Sequence, residues 1–294
     1  MNPPPEAVGA IYDIGYRRYD GPRLGRRGAL TAIIGAGLRA VFGLGRSGRS
    51  KILPWGAIVL GILPAIVAVA IRVLAGDIIE LYNYENYLWE IGALLPIFVA
   101  AQAPELVVND MRHRVLPLYF SRPISRPDYV AAKLAALTLA LLSLTLLPVL
   151  ILFTGRVLGA EDALGALGDE IGALPSIVGN GLLHAVVLAS IGLAICAVAG
   201  RRAYAAGAVL ALFLIGGVMS GTFEAQGGGL AGVAPFVQPL AILDGAREWL
   251  FGGTVDNSPV SGAGVALPFY GVAAAALLAA SWAVLTIRYR SVTT

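Results

Sequence analysis

The sequence predicts an all-α membrane protein of six transmembrane helices with both termini on the cytoplasmic side. Three observations predict it. Of 294 residues, 57% are hydrophobic and only 13% charged, with a mean hydropathy of +0.78; an ordinary soluble domain carries about 25% charged residues. So little charge cannot cover a soluble body of this size. The apolar residues come in blocks of the length, about 18 residues or more, that crosses ~30 Å of hydrocarbon. The basic residues collect in alternate loops, as the cytoplasmic side of a membrane requires.

Residues 1–51 read as a cytoplasmic segment. The Met-Asn-Pro-Pro-Pro opening reads as a loose tail. No cleavable signal peptide is expected, because the first long apolar run starts only at Ile52. Within 28–45, Leu30, Ile34, Gly37, Val41 and Leu44 recur at steps of four and three. That spacing makes one apolar helical face ringed by arginines, the pattern of a helix lying in the inner interface. A seventh, buried span is the alternative, and Arg39 and five glycines speak against it.

The transmembrane domain, 52–290, has its spans at about 52–75, 88–108, 130–154, 176–200, 203–223 and 265–287. All of the 21 Lys and Arg residues except Arg72, Arg156 and Arg247 lie before the first span, between the second and third (Lys133 in the third's first turn), between the fourth and fifth, or after the sixth. Acids lean toward the opposite loops, among them Glu161, Asp162, Asp169, Glu170, Asp244 and Glu248. A different number of spans would scramble this alternation. The outer loop 224–262 is too apolar over Pro235–Phe251 for a solvated connection. It predicts a hairpin of short helices dipping into the outer leaflet, with Trp249 at the headgroups.

Chemistry-bearing motifs are scarce. The lysines Lys51 and Lys133 follow Ser50 and Ala132, so the Gly-Lys pair of a phosphate-cradling loop is missing; any ATP would be bound by another chain. His113 and His184 lie on different elements, and Gly217-Val-Met-Ser-Gly221 lacks the spacing of a serine nucleophile turn. The chain therefore does not read as an enzyme, and no cofactor, metal or nucleic acid is expected on it. The single Cys196 excludes an internal disulfide. Gly217 and Gly221, four apart, let a helix backbone approach closely, against another span or a second subunit. The intramembrane polar residues are Glu90 and Glu105, near opposite ends of the second span, and Asn180 and His184, one turn apart on the fourth. The latter pair forms an interhelical hydrogen bond or a polar patch on a substrate path.

Residues 109–128 are the most informative segment. A charged cluster, Asp110 to Arg114, leads into the half-apolar Val115–Phe120, then two Ser-Arg-Pro triplets, with Tyr129 and Lys133 opening the next span. The prolines limit any helix here to about two turns. A compact, basic, partly apolar knob between two spans suits docking to a protein partner.

This pattern resembles the ABC type-2 transporter permeases, particularly bacterial ones with separate ATPase chains. The shared features are Pro104-Glu105 at the base of the second span, the acidic-basic cluster, Val115-Leu-Pro-Leu118, then Ser121-Arg-Pro-Ile-Ser-Arg126, an aromatic and Lys133. The six spans, the interfacial helix, the outer hairpin and the Ile11–Arg26 lead-in match as well. The resemblance implies that Asp110 to Leu118 form a cytoplasmic coupling helix that fits a cleft of the ATPase, with Asp110, Arg112, His113, Arg114, Leu116, Pro117 and Leu118 as its coupling residues. Ser121 to Lys133 would return into the membrane, and Glu105 takes the family's glutamate position at the cytoplasmic end of the second span. It further implies an exporter in the bacterial plasma membrane and a dimer with a second permease copy or a related permease. ATP and magnesium would sit on the partner ATPase subunit, and the second and fifth spans would line the path. The other reading is an ATP-independent secondary transporter or channel, which calls for inverted repeats and polar groups at the midplane. No convincing three-plus-three repeat is visible, and midplane polar residues are few.

Overall fold

A computed structural model describes residues 21, 25–75, 81–113, 115–121, 124–253 and 260–290. The expected N-terminal tail, most of the Ile11–Arg26 lead-in, Arg114 and Arg122 lie outside the described residues. Those described form helices and connecting turns: α1 Gly25–Val41, α2 Arg49–Ala75, α3 Tyr87–Glu90, α4 Leu94–Arg112, α5 Leu116–Phe120, α6 Arg126–Thr145, α7 Leu147–Leu158, α8 Ala163–Glu170, α9 Leu174–Ala199, α10 Arg202–Gln226, α11 Gly228–Val237, α12 Pro239–Leu250 and α13 Pro268–Arg290.

Among the described residues, five stretches are long and apolar enough to cross a membrane: Arg49–Leu74, Arg126–Leu158, Ala163–Ala199, Arg202–Gln226 and Pro268–Arg290. The protein is thus an all-helical, multi-pass membrane protein by length and composition. The pair α11 and α12 is also apolar enough, but the two helices meet at 96°. The bend falls at Gln238, whose backbone is extended, with Pro239 opening α12. This is a helical hairpin where the outer hairpin was expected.

The expected span 88–108 falls on α3 and α4, which a turn at Ile91–Ala93 separates. It is not among the five. Gln102, Glu105, Asn109 and Asp110 dilute its apolarity, and its position tolerates them. α4 packs against α2, α6, α9 and α10, burying Leu95, Phe98, Val99, Ala103, Leu106 and Val107 completely. A helix enclosed by other helices need not present an apolar face to lipid all round. By contrast α2, α10 and α13 stay exposed along much of their length, and α6 and α9 are mostly covered.

Local sequence sets the boundaries. Ser125 and Asp128 form a reciprocal capping box that starts α6. The expected continuous span 130–154 is interrupted at Leu146. Pro148 has no N–H to give, and its ring crowds the carbonyl one turn back, so α7 begins afresh. At that break Thr145 Oγ1 donates to the Gly181 carbonyl of α9 across 2.9 Å. Gly200, at φ +65°, ends α9 in the left-handed region.

α1 lies against α6 and α4. Gly37 makes this approach possible, since a Cβ there would sit 2.7 Å from the Ala136 Cβ. Its buried face is Ile33, Gly37 and Val41, flanked by Leu30, Ile34 and Leu38. Leu44 does not belong to it. Gly43 turns the chain at φ +63° just past the helix end, and Leu44 is left exposed.

Candidate functional site

The loops rich in Lys and Arg come together at one end of the bundle, here called the basic end. Glu105 of α4 is a junction there. Its carboxylate accepts from Arg46 Nη1 at 2.9 Å, from Arg202 Nη1 at 2.5 Å and from Asn109 Nδ2 at 2.9 Å. One side chain therefore joins the α1–α2 turn, α4 and the start of α10. Beside it, Arg26 clasps Asp128 with two bonds of 2.6 and 2.8 Å, tying α1 to α6. Such forked guanidinium–carboxylate pairs fix orientation as well as distance.

Asp110, one turn past Leu106, is held from α6. Lys133 Nζ lies 2.7 Å from its carboxylate, and the Tyr129 hydroxyl donates to the same oxygen at 2.7 Å. Tyr129 and Lys133, four residues apart, share one face of α6. The Tyr129 ring packs against Tyr119, Phe120 and Tyr289, and the Lys133 ammonium stands over the Tyr119 and Tyr129 rings at 5.9 and 5.4 Å. This aromatic box seats α5 on the bundle.

The expected coupling helix is therefore two pieces rather than one run from Asp110 to Leu118. α4 continues through Arg112, a turn follows, and α5 is a separate helix of five residues. Pro117 near its start prevents continuous helical bonding back into α4. The expected coupling residues also divide. Asp110 and Leu116 face inward, Leu116 being 3% exposed. Arg112, His113, Pro117 and Leu118 face outward, Leu118 with 70% of its surface free. Arg114 lies outside the described residues.

At the opposite end, α12 lies against α9. Ser176 Oγ donates to the Leu250 carbonyl at 2.7 Å, which aligns the face carrying Ser176, Asn180 and His184 with α12. Asn180 and His184 do share that face and are buried, but among the described residues neither side chain is seen to hydrogen-bond to another helix. His184 Nδ1 lies 3.0 Å from the Asn180 carbonyl of its own helix, and neither Asn180 amide atom has a partner among the described residues.

Sequence reasoning missed what faces them. Arg247 is almost wholly buried, paired with Asp244 at 2.6 Å and bonded to the Asn86 side chain and the Glu85 carbonyl. Glu248 is buried beside it. Their i, i+3, i+4 spacing on an otherwise apolar helix was the available signal; by sequence they read only as charges of the outer loop, with no role assigned. Nearby on this side, Tyr84 donates to Glu170 at 2.6 Å, and Arg156 pairs with Glu170 at 2.7 Å. Burial, reinforced by Glu170, holds the Tyr84 hydroxyl above the ordinary phenol range.

A third feature is an apolar recess of about 660 Å³ between α3–α4 and α10, lined by Trp89, Pro96, Ile97, Phe213, Leu214, Val218 and Gln238 among others. Gly217 opens into it. The close backbone approach within the chain belongs to its neighbour Gly216, where a Cβ would lie 3.0 Å from the Val237 carbonyl. Gly221 faces open space. Glu90 is exposed at the same end as the recess. Among the described residues, no group of three or more His, Cys, Asp or Glu comes together to hold a metal ion.

Comparison of the chain with known protein families and with curated proteins finds no match.

Proposed function

We propose that this chain is the transmembrane permease subunit of an ABC exporter, moving substrate across the plasma membrane with ATP hydrolysed by a separate nucleotide-binding subunit. The observation that carries the reading is the division of residues 110–118. Arg112, His113, Pro117 and Leu118 point away from the bundle, while Asp110 and Leu116 anchor the same turn to α6 and the core. A basic rim around one exposed leucine, on a braced turn between two long helices, is what a partner needs to grip and push. The sequence pattern Pro104-Glu to Lys133 supports an ABC ATPase as that partner.

In this reading α3 and α4 together make a sixth crossing, enclosed by the other five, and both termini are cytoplasmic. The basic end then faces the compartment that holds ATP. The α11–α12 hairpin dips into the outer leaflet, and the apolar recess between α4 and α10 forms part of the cargo path, closed by a second permease copy or a related permease.

Co-expression with an ATPase encoded beside the gene tests the docking assignment. Leu118→Asp with Arg112→Glu should abolish co-purification of the ATPase, while Leu118→Met should leave it intact. An ATPase that binds the charge-reversed variant as tightly as the wild type would overturn the reading.

A further inference from the structure

We infer that a recess between α6 and α13 at the basic end holds the phosphate headgroup of an anionic glycerophospholipid. The recess encloses about 220 Å³ and is lined by Arg126, Pro127, Val130, Thr286, Tyr289 and Arg290. At about 30 Å³ per water, it has room for a phosphate with part of a glycerol unit. Pro127, Val130 and the Tyr289 ring give it an apolar floor, and two guanidinium groups flank it.

Those guanidiniums are largely unspent. Arg126 gives one N–H to the Arg290 carbonyl at 3.0 Å and lies 5.9 Å over the Phe120 ring. Arg290 has no side-chain partner among the described residues. Nearby carboxylates are already committed, Asp128 to Arg26 and Asp110 to Lys133. An arginine fork with donors to spare matches a phosphate in charge and in geometry.

The position selects a lipid over a free anion. The recess sits at the end of two apolar stretches, Arg126–Leu158 and Pro268–Arg290. Just below it along α13, Ile287 and Val284 are exposed, so acyl chains would run down the helix from a headgroup held above. Basic pockets between helices at this depth are the usual seats of anionic headgroups. The inference rests on reading this end as a membrane surface, and it needs neither an ATPase nor a transport direction.

The test uses full-length protein, delipidated in nonionic detergent and offered equal amounts of phosphatidylglycerol and phosphatidylcholine with the same acyl chains. Native mass spectrometry reads the lipid retained. Wild type should prefer phosphatidylglycerol by roughly tenfold or more, two arginines each contributing about fivefold. Arg290→Gln, whose side chain has no partner to lose among the described residues, should weaken the preference by about fivefold, and Arg126→Gln with Arg290→Gln should abolish it. Arg27→Gln with Arg39→Gln, two exposed arginines on α1, removes equal charge and should leave it unchanged. The proposal fails if the Arg126/Arg290 double variant keeps its preference, or if the α1 control loses as much. Displacement of phosphatidylglycerol by millimolar inorganic phosphate would overturn the lipid assignment in favour of a free-anion site. Because no ATPase is present, failure here leaves the docking proposal standing.

Discussion

Lys133 of α6 places its ammonium 2.7 Å from the Asp110 carboxylate of α4, with only 9% of the lysine side chain exposed. The pair closes the gap between two helices whose connection is the α5 knob, so α4 cannot slide against α6 without exposing both charges.

Lys133→Met should therefore leave a mostly enclosed carboxylate without its counter-charge, held only by the Tyr129 hydroxyl, at a cost of about 3 kcal/mol. The expected readout is a large drop in the thermal midpoint of the purified protein. Pairing it with Asp110→Asn should restore most of the loss, because the neutral amide no longer demands a cation.

Leu116 and Leu118, two residues apart, should behave oppositely. Leu116→Ala opens a hole under α5 and should destabilise by about 2–5 kcal/mol. Leu118→Ala removes exposed surface and should change stability by less than about 0.5 kcal/mol, yet weaken ATPase co-purification. Thermal melts and pull-downs on the two variants separate the roles.

Sidedness can be read with a membrane-impermeant maleimide. Cys196 is buried, and Cys196→Ser gives a silent background. Glu161→Cys, exposed beyond α7, should label in intact cells. Ser121→Cys, exposed beside α5, should label only after the cells are opened. The reverse pattern would place the basic end outside and exclude an ATPase from it.

Gly217→Phe should fill part of the recess between α4 and α10 without disturbing the fold, since the nearest atoms to a Cβ there are in the Gln238 side chain at 3.4 and 3.8 Å. Substrate efflux should fall several-fold while ATPase binding persists. Unchanged efflux would remove the recess from the cargo path.

Much of this architecture was legible in the sequence. The long apolar blocks and the alternation of basic residues gave the helices and the ends at which they meet, because both signals arise from the bilayer rather than from details of packing. The start of α6 was legible too, although the span was expected from 130: Ser125 and Asp128 form a capping box, which is local chemistry. What stayed hidden depends on neighbours. Nothing local distinguishes Gly216, against the Val237 carbonyl, from Gly217 beside it. Nor does composition reveal that Asp244, Arg247 and Glu248 turn inward, because their cover comes from α9, α13 and the 85–86 loop. The split of the expected coupling helix follows from Pro117, a local signal, but which of its residues face inward is set by α6.

Glu105 and Asp110 lie little more than one turn apart on α4, yet they fasten it in different ways. Asp110 is gripped by the enclosed Lys133, a joint that resists sliding. The arginines that reach Glu105 are 43% and 60% exposed, and such bonds contribute only about 0–1 kcal/mol each and exchange readily with water. At the basic end α4 is thus held firmly by α6, while its ionic link to the α1–α2 turn and to the first residues of α10 is weaker; along the rest of its length α4 packs closely against α10. If a partner docks on the knob as proposed, its push would be passed through the Asp110–Lys133 joint to α4 and α6 together, and the exposed Glu105 bonds would be the first to yield.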